Sequence, residues 1–479
     1  MMIEAELNYR YASGQGVLWS QGNLYYRQST SANALVEAQR VLAQIGEVTC
    51  LTNEEFDERL QHLFKGQAQG LATIVDDISE QVDLSEFAKK IPDATDLAEI
   101  GDDAPIVELI NKMLIQAIRG RASDIHLEPQ TGGLAVRFRQ DGILALQATL
   151  PIELAPLVVS RVKVMAKLDI GETRLPQDGR FTREMAGRPV DVRVAMIPSG
   201  AGERVVMRLL DRESGRLQLL SLGMPKALQD AIQQLILRPS GILLTTGPTN
   251  SGKTTTLYGA LQEINDHNLN IMTIEDPIEY ELPGISQTAV NSKSGMSFEK
   301  GLRAILRQDP DVIMVGEIRD LETARTAIHA SQTGHLVLST LHTNSAVGAL
   351  VRLRDMGVEP YLLASSIIGV LAQRLVRALC SVCKQPVANH EIGFEQEQMA
   401  CGCKECEYTG YQGRVGIYEL LEVTPAIKQL VHDNASEQKV LQLARKRQHG
   451  LYDNGMHIVA KGITTREEVN RVCIGSESG

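Results

Sequence analysis

The residues best suited to do chemistry lie at 247–256, GPTNSGKTTT. Glycine-rich main chain ahead of an ammonium and two hydroxyls is what phosphate binding needs. Successive backbone N–H groups cradle the oxygens, Lys253 meets the outer phosphates and Thr254 holds magnesium. Gly247, Gly252, Lys253 and Thr254 satisfy the spacing G-x-x-x-x-G-K-[ST], and Pro248, Thr249, Asn250, Ser251 and Thr255 complete the loop. Asn250 stands where many such loops use Gly, which predicts a positive φ there, because Asn tolerates the left-handed region best among residues with a side chain. The bland alternative is a glycine-rich turn between a strand and a helix.

Splitting a phosphoanhydride also needs carboxylates for metal and water, and cations for the leaving charge. Glu317 closes the apolar run DVIMVGE, and Glu275, with Asp276 beside it, closes NIMTIED. In an open α/β sheet such strand ends line the ligand crevice. His335 and His342 bracket the run between them, though a single histidine in such a place is more often structural. Arg303 and Arg307, four apart in a helical stretch, point from one face as candidate charge neutralisers; a solvated ion pair is the alternative.

Of seven cysteines, five fall between Cys380 and Cys406, the clustering of a metal site rather than of a disulfide framework. Cys380, Cys383, Cys403 and Cys406 form two C-x-x-C pairs with the spacing of a four-thiolate structural zinc site; a redox pair is the competing reading. Cys401 rivals Cys403 as the third ligand, and symmetric pairing favours Cys403. Cys50 and Cys473 read as ordinary thiols.

The elements that must hold these groups follow from hydrophobic period. Short apolar runs separated by helix-length segments from Leu222 onward are the pattern of buried parallel strands, giving an α/β core. Before them, PIVELINKMLIQAI has helical spacing, and GLAVRFRQDGILAL alternates on both sides of Asp141-Gly142, a hairpin signal; together they predict an α+β domain. In ASDIHLEP, Ile125 and Leu127 alternate against Asp124, His126 and Glu128, predicting a buried face and a solvated or subunit-contact face without a metal. One helical-looking run lies at 34–45, 73–103 reads as an acidic tether, and the chain beyond Gly416 reads as helical. The net charge of −11 argues against a protein that coats nucleic acid, and no such partner is expected. No apolar segment approaches the ~20 residues needed to span a bilayer, and no leader is evident, so a soluble cytoplasmic protein is expected.

The ordered quartet GPTNSGKT, TIEDPIEY, DPDVIMVGEIRD and TGHLVLSTLHTN resembles the Walker A, Asp box, Walker B and His box of the secretion ATPase superfamily, which powers type II secretion and type IV pili. RASDIHLEP, RLPQDGRF, SGAGERVVMRLLD, GLRAILRQDPD, LAQRLVRALC and TGYQGRVGIYELL are similar to further stretches of that family, so the resemblance covers most of the chain from about Arg119. The cysteine insertion and short N-terminal region resemble the type II secretion branch, its E subunits, more than the retraction motors. The resemblance implies a RecA-like P-loop core, a preceding α+β (PAS-like) domain, a small zinc-binding insertion and a helical C-terminal part.

The boundaries then expected are an N-terminal partner-binding region at 1–72, the tether at 73–103, the α+β domain at 104–218, the ATPase core at 219–379, the zinc subdomain at 380–415 and the helical part at 416–479. ATP with magnesium, and zinc, are the implied cofactors. The resemblance further implies a homo-hexamer peripheral to the inner membrane, acting on a membrane platform with a cytoplasmic-domain partner and, as a further expected contact, acidic phospholipid. By the same resemblance Glu317 matches the Walker B glutamate, Glu275 the Asp-box glutamate, and His335 and His342 the His-box pair; Arg193 and Arg208 match arginines placed against the nucleotide. Rival readings are a pilus-assembly or DNA-uptake ATPase of the same superfamily, a RecA-type nucleic-acid motor and a non-hydrolysing nucleotide sensor.

Overall fold

The structure is a computed structural model that describes residues 105–185, 188–211, 219–266, 268–291, 294–387, 394, 396–446 and 449–473, with, toward the N-terminus, 12, 16–20, 23–28, 30, 34, 35, 38, 46–53, 55, 56 and 59. The acidic tether expected at 73–103 and most of the helical run at 34–45 lie outside the described residues. The chain divides into two compact units, Met1–Arg212 with Cys401–Gly410, and Glu213–Ala400 with Tyr411–Gly479.

In the first unit, β1 (Val17–Ser20) pairs antiparallel with β2 (Asn23–Arg27), which pairs parallel with β3 (Val48–Leu51). Further on, α1 (Pro105–Arg119) and α2 (Ala155–Ala166) bury one stripe each with a six-stranded sheet. Its strands are β4 (Ala122–Gln130), β5 (Gly133–Gln140), β6 (Ile143–Leu150), β7 (Gln177–Met185), β8 (Arg188–Ser199) and β9 (Gly202–Asp211). The order is β6-β5-β4-β9-β8-β7, antiparallel throughout. The Asp141-Gly142 signal is realised: φ is 46° and 84°, the two left-handed positions of the tight turn joining β5 to β6.

The second unit is built on a seven-stranded sheet. β10 (Gly241–Thr246), β11 (Ile271–Glu275), β12 (Ser286–Ala289), β13 (Val312–Val315), β14 (Leu336–Leu341) and β15 (Ile367–Leu379) run parallel in the order β12-β11-β13-β14-β10-β15. Every residue of β10, β13 and β14 is buried, which is why those stretches read as unbroken apolar runs rather than alternation. One face is covered by α3 (Lys226–Ile236) and α4 (Lys253–Ile264). The other carries α5 (Phe298–Ile305), α6 (Leu321–Gln332), α7 (Ala346–Asp355) and α8 (Pro360–Ser366). Helices on both faces of a parallel sheet make this unit doubly wound. Side-chain caps fix three starts: Ser297, Asp320 and Ser345 accept from the N–H groups of Lys300, Thr323 and Gly348.

The expectation of a wholly helical chain beyond Gly416 is corrected. Two short strands, β16 (Gln385–Pro386) and β17 (Gln398–Met399), pair within the cysteine segment, and β18 (Tyr411–Glu422) then closes the large sheet, antiparallel to β15. The stretch RVGIYELLE buries Ile417, Tyr418, Leu420 and Leu421 in a pattern that mixes periods, because an edge strand packed on both faces needs no clean alternation. The helices α9 (Pro425–His432), α10 (Glu437–Arg445), α11 (Leu451–Ala460) and α12 (Arg466–Cys473) follow and add their apolar sides to the same core.

Candidate active site

The phosphate-type loop joins β10 to α4 and needs unusual backbone at three places. Gly247 has φ 155°, and a Cβ there would lie 2.5 Å from the Gln373 carbonyl oxygen on β15; only glycine admits that approach. Gly252 has φ 86° directly before the helix. Asn250 has φ 63°, so the left-handed conformation anticipated from its residue type is the one adopted. Pro248, Thr249 and Asn250 form an exposed rim, while Gly247, Ser251 and Lys253 are buried and Thr254 and Thr255 are half-buried at the helix start.

Lys253 donates from Nζ to the carbonyls of Gly247 and Pro248, both at 2.8 Å. Burial pushes its ammonium down to about 8, with Glu317 pulling the other way and Arg374 adding to the depression. The Ser251 hydroxyl is buried with no hydrogen-bond partner among the described residues. An ammonium held by main-chain carbonyls alone, an orphan hydroxyl and a helix N-terminus fit a phosphate chain.

Two carboxylates stand at neighbouring strand ends, in different surroundings. Glu317, just past β13, pairs with Arg319 and approaches His342 at 3.5 Å between Oε2 and Nε2. Burial lowers the proton affinity of His342, Lys253 lowers it further, and Glu317 opposes both. Lys253, Glu317 and His342 therefore share one electrostatic environment at the carboxyl edge of the sheet. Glu275, the last residue of β11, is 2% exposed and receives Thr273 Oγ1 at 2.5 Å, Gln287 Nε2 at 3.1 Å and the Tyr258 hydroxyl. Burial raises its carboxyl, and those three donors hold the rise in check. Asp276 beyond it is exposed.

His335 does not join this group. It precedes β14 while His342 follows it, so a strand of six residues, roughly 20 Å, separates them, and only His342 lies on the loop's side of the sheet. His335 instead sets its Nδ1 2.8 Å from the Ala330 carbonyl at the end of α6. Arg303 lies in α5 with its guanidinium on Glu299 at 2.8 Å; Arg307 falls just past the helix end and donates to the Arg303 carbonyl at 2.8 Å. The single helical face inferred from their spacing is replaced by an ion pair and a C-terminal cap.

In the first unit Arg193 and Arg208 are direct cross-strand partners on β8 and β9. The same row continues to Arg180 on β7, and on the other side to Asp124 on β4 and Arg139 on β5. Arg208 Nε meets Asp124 Oδ1 at 2.9 Å. Of the two readings of the polar face of ASDIHLEP, solvated or at a subunit contact, the solvated one is corrected here. Asp124, His126 and Glu128 are 2%, 7% and 9% exposed, because Arg137, Arg139, Arg204 and Arg208 from the flanking strands lie over them. A lone strand's alternation cannot reveal charges that its neighbours bring.

The ligand atoms of Cys380, Cys383, Cys403 and Cys406 all lie within 4.8 Å of one another. Four thiolates around zinc sit about 3.8 Å apart, so the set fits that ion and leaves Cys401 outside it. Four functional-looking residues escaped the sequence reading. Tyr258 and Gln287 grip Glu275; Gln373 accepts from Thr256 Oγ1 at 2.8 Å beneath the loop; and Arg374, 5% exposed, donates to the Asn344 carbonyl at 3.0 Å. Gln373 and Arg374 lie in LAQRLVRALC, a stretch similar to the family's, where Arg374 and Arg377 are charges inside an otherwise apolar run.

A family model described as type II/IV secretion system protein matches residues 99–471, and a second, for a domain of GSPII protein E, matches 6–64. The chain is 50% identical over 468 residues to the type II secretion system ATPase E of Vibrio cholerae, covering 95% of this chain and 92% of that one. It is 49% identical over 480 residues to the type II secretion system protein E of Pseudomonas aeruginosa, covering 97% and 96%. The crystal structure of the pilus retraction motor PilT with bound ADP superimposes with a TM-score of 0.55 at 29% identity, covering 76% of this chain and 96% of that one.

Proposed function

The chain belongs to the type II/IV secretion system protein family, and from that premise we propose that it is an ATP-hydrolysing motor at the cytoplasmic side of the inner membrane, powering pseudopilus assembly and protein export by type II secretion. The observation that carries the reading is the convergence of Lys253, Glu317 and His342 beside the glycine-rich loop, at the carboxyl edge of a parallel sheet. Loop amides and Lys253 bind the phosphates. Thr254 would offer its hydroxyl to magnesium, which would supply charge neutralisation for the phosphates when bound. Glu317 and Glu275 share metal handling and activation of the attacking water, and His342 holds the Glu317 carboxylate from one side.

Arg193 and Arg208, which resemble arginines the family places against the nucleotide, supply positive charge to the outer phosphate in a homo-hexamer. Among the described residues no helix is long and apolar enough to cross a membrane; the same reading has the motor attach peripherally through a platform partner or acidic phospholipid. Zinc on Cys380, Cys383, Cys403 and Cys406 stabilises a segment with little core of its own; full zinc content in Cys403→Ser would overturn that assignment.

The test is turnover of Mg-ATP by the purified chain and by Glu317→Gln. Turnover should fall ~100-fold or more in the variant with ATP still bound, since removing a group that acts on the proton or charge of the transition state spares ground-state binding. An unsubstituted chain that binds no ATP sinks the proposal. Restoration of export in a secretion-deficient strain distinguishes export from pilus assembly.

A further inference from the structure

We propose that Tyr258, on the helix that follows the phosphate loop, is the positioning residue that sets and holds the Glu275 carboxylate for hydrolysis. The inference rests on the reading above and concerns a residue to which neither the loop motif nor the strand ends assign a role.

Glu275 lies on β11, three strands away from β10, which leads into the phosphate loop: the order is β11-β13-β14-β10. At about 4.8 Å per strand, the sheet alone would leave its carboxylate some 14 Å to the side of that loop. The helix α4 spans the gap. Tyr258 is four residues after Thr254, so both side chains lie on the same face, one turn apart. The tyrosine is completely buried, its ring packs edge-on against Tyr280 at 4.6 Å between centroids, and its hydroxyl reaches Glu275 Oε2. The hydroxyl has one proton, and its other contacts fix where that proton goes. The Glu279 main-chain N–H donates to the hydroxyl oxygen at 3.4 Å, which leaves its hydrogen for the carboxylate, while the two Gln287 amide hydrogens go to Glu275 Oε1 at 3.1 Å and the Tyr280 carbonyl at 3.2 Å.

Both oxygens of Glu275 are thereby committed. Oε1 takes Thr273 and Gln287, and Oε2 takes Tyr258. The titratable groups that face the carboxyl are Tyr258 from α4 and Glu279 and Tyr280 from the segment after β11; β12 contributes the neutral Gln287, and the end of β13 contributes Gly316 main chain. No cation stands among these facing groups. These donors oppose the upward push of burial on the Glu275 carboxyl, and Tyr258 is the one that ties it to the nucleotide helix.

The experiment compares ATP turnover against pH, and ATP affinity by calorimetry, for the full chain, Tyr258→Phe, Glu275→Gln and the double variant. Tyr258→Phe keeps the ring and its packing and removes only the hydroxyl. Its kcat at neutral pH should fall about tenfold, the acidic limb of its kcat profile should move up by about one pH unit, and ATP affinity should stay within about twofold. In the Glu275→Gln background the same exchange should cost no further turnover. Gln287→Met, which deletes a donor to the other oxygen, should move the acidic limb the same way and serves if Tyr258→Phe fails to fold. An unmoved acidic limb, or an equal additional loss in the Glu275→Gln background, overturns the inference. Those results are distinct from failure of the proposed function, which would appear as an unsubstituted chain without ATP turnover.

Discussion

A single side chain carries the sharpest electrostatic expectation, Lys253. Its ammonium is buried and solvated only by two loop carbonyls, which holds its proton affinity at about 8 rather than the 10.5 of a free lysine. Its folded value is depressed, so at pH 8 roughly half of the unliganded chains lack the lysine proton. A bound phosphate chain favours the charged form and raises that value again. Binding ATP at pH 8 should therefore take up roughly half a proton per site, and at pH 6 almost none from this group. Calorimetry in buffers of different ionisation enthalpy measures the uptake directly; no difference between buffers at pH 8 would mean the ammonium is not the group that meets phosphate. The loop spacing made Lys253 legible in the sequence, but its altered affinity was not, because that comes first from burial in the folded loop, with Arg374 adding to the depression and Glu317 opposing it.

Among the elements, β15 has the most to do. Its middle supports the loop through Gln373, and its end is clamped to α12: Glu468 takes Arg377 at 2.5 Å and Arg471 at 2.7 Å, and is itself 2% exposed. Burial pushes the Glu468 carboxyl up, but the hydrogen bonds from Arg471 and Arg377 outweigh it and hold the group at about 2. A depressed carboxylate contributes stability above its unfolded value near 4.5 and loses it as pH falls toward about 2. Glu468→Gln should destabilise the second unit by about 3 kcal/mol at neutral pH, because it strands buried guanidinium charge. The gap between the two melting temperatures should be flat above pH 5 and shrink as pH drops toward 3; a gap independent of pH would show that packing, not charge, holds the clamp. The strands of the core were readable because buried parallel strands are apolar from end to end. This clamp was not, since Arg377 and Glu468 are 91 residues apart and neither sits in a motif. Tyr258 was hidden for a related reason: in TTTLYGALQEI a tyrosine reads as core, and the strand order that brings Glu275 beneath it leaves no trace in either segment.

For the molecule as a whole, the phosphate loop and the arginine row belong to different compact units. Within the loop's own unit Lys253 stands at the loop, while Arg374 is engaged on the Asn344 carbonyl and Arg303 and Arg307 at the end of α5, so under the proposed function the cations for the departing phosphate are Arg193 and Arg208. Arg208 is held by Asp124, and Arg193 and Arg180 extend its row, so a cross-strand array of guanidiniums is preassembled on a rigid sheet rather than carried on a loop. Positive charge that acts on the departing phosphate should matter to the transition state more than to the ground state. Arg208→Ala is therefore expected to lower kcat about 10³-fold, the lower range of an arginine finger, while ATP affinity changes by no more than a fewfold. In the proposed homo-hexamer, a site completed by a neighbouring copy of the chain also makes turnover per chain rise with protein concentration in the unsubstituted protein, and Arg208→Ala should remove most of that rise. Loss of affinity in proportion to kcat would make Arg208 a binding residue, and a concentration-independent rate would place the finger within the chain that holds the nucleotide.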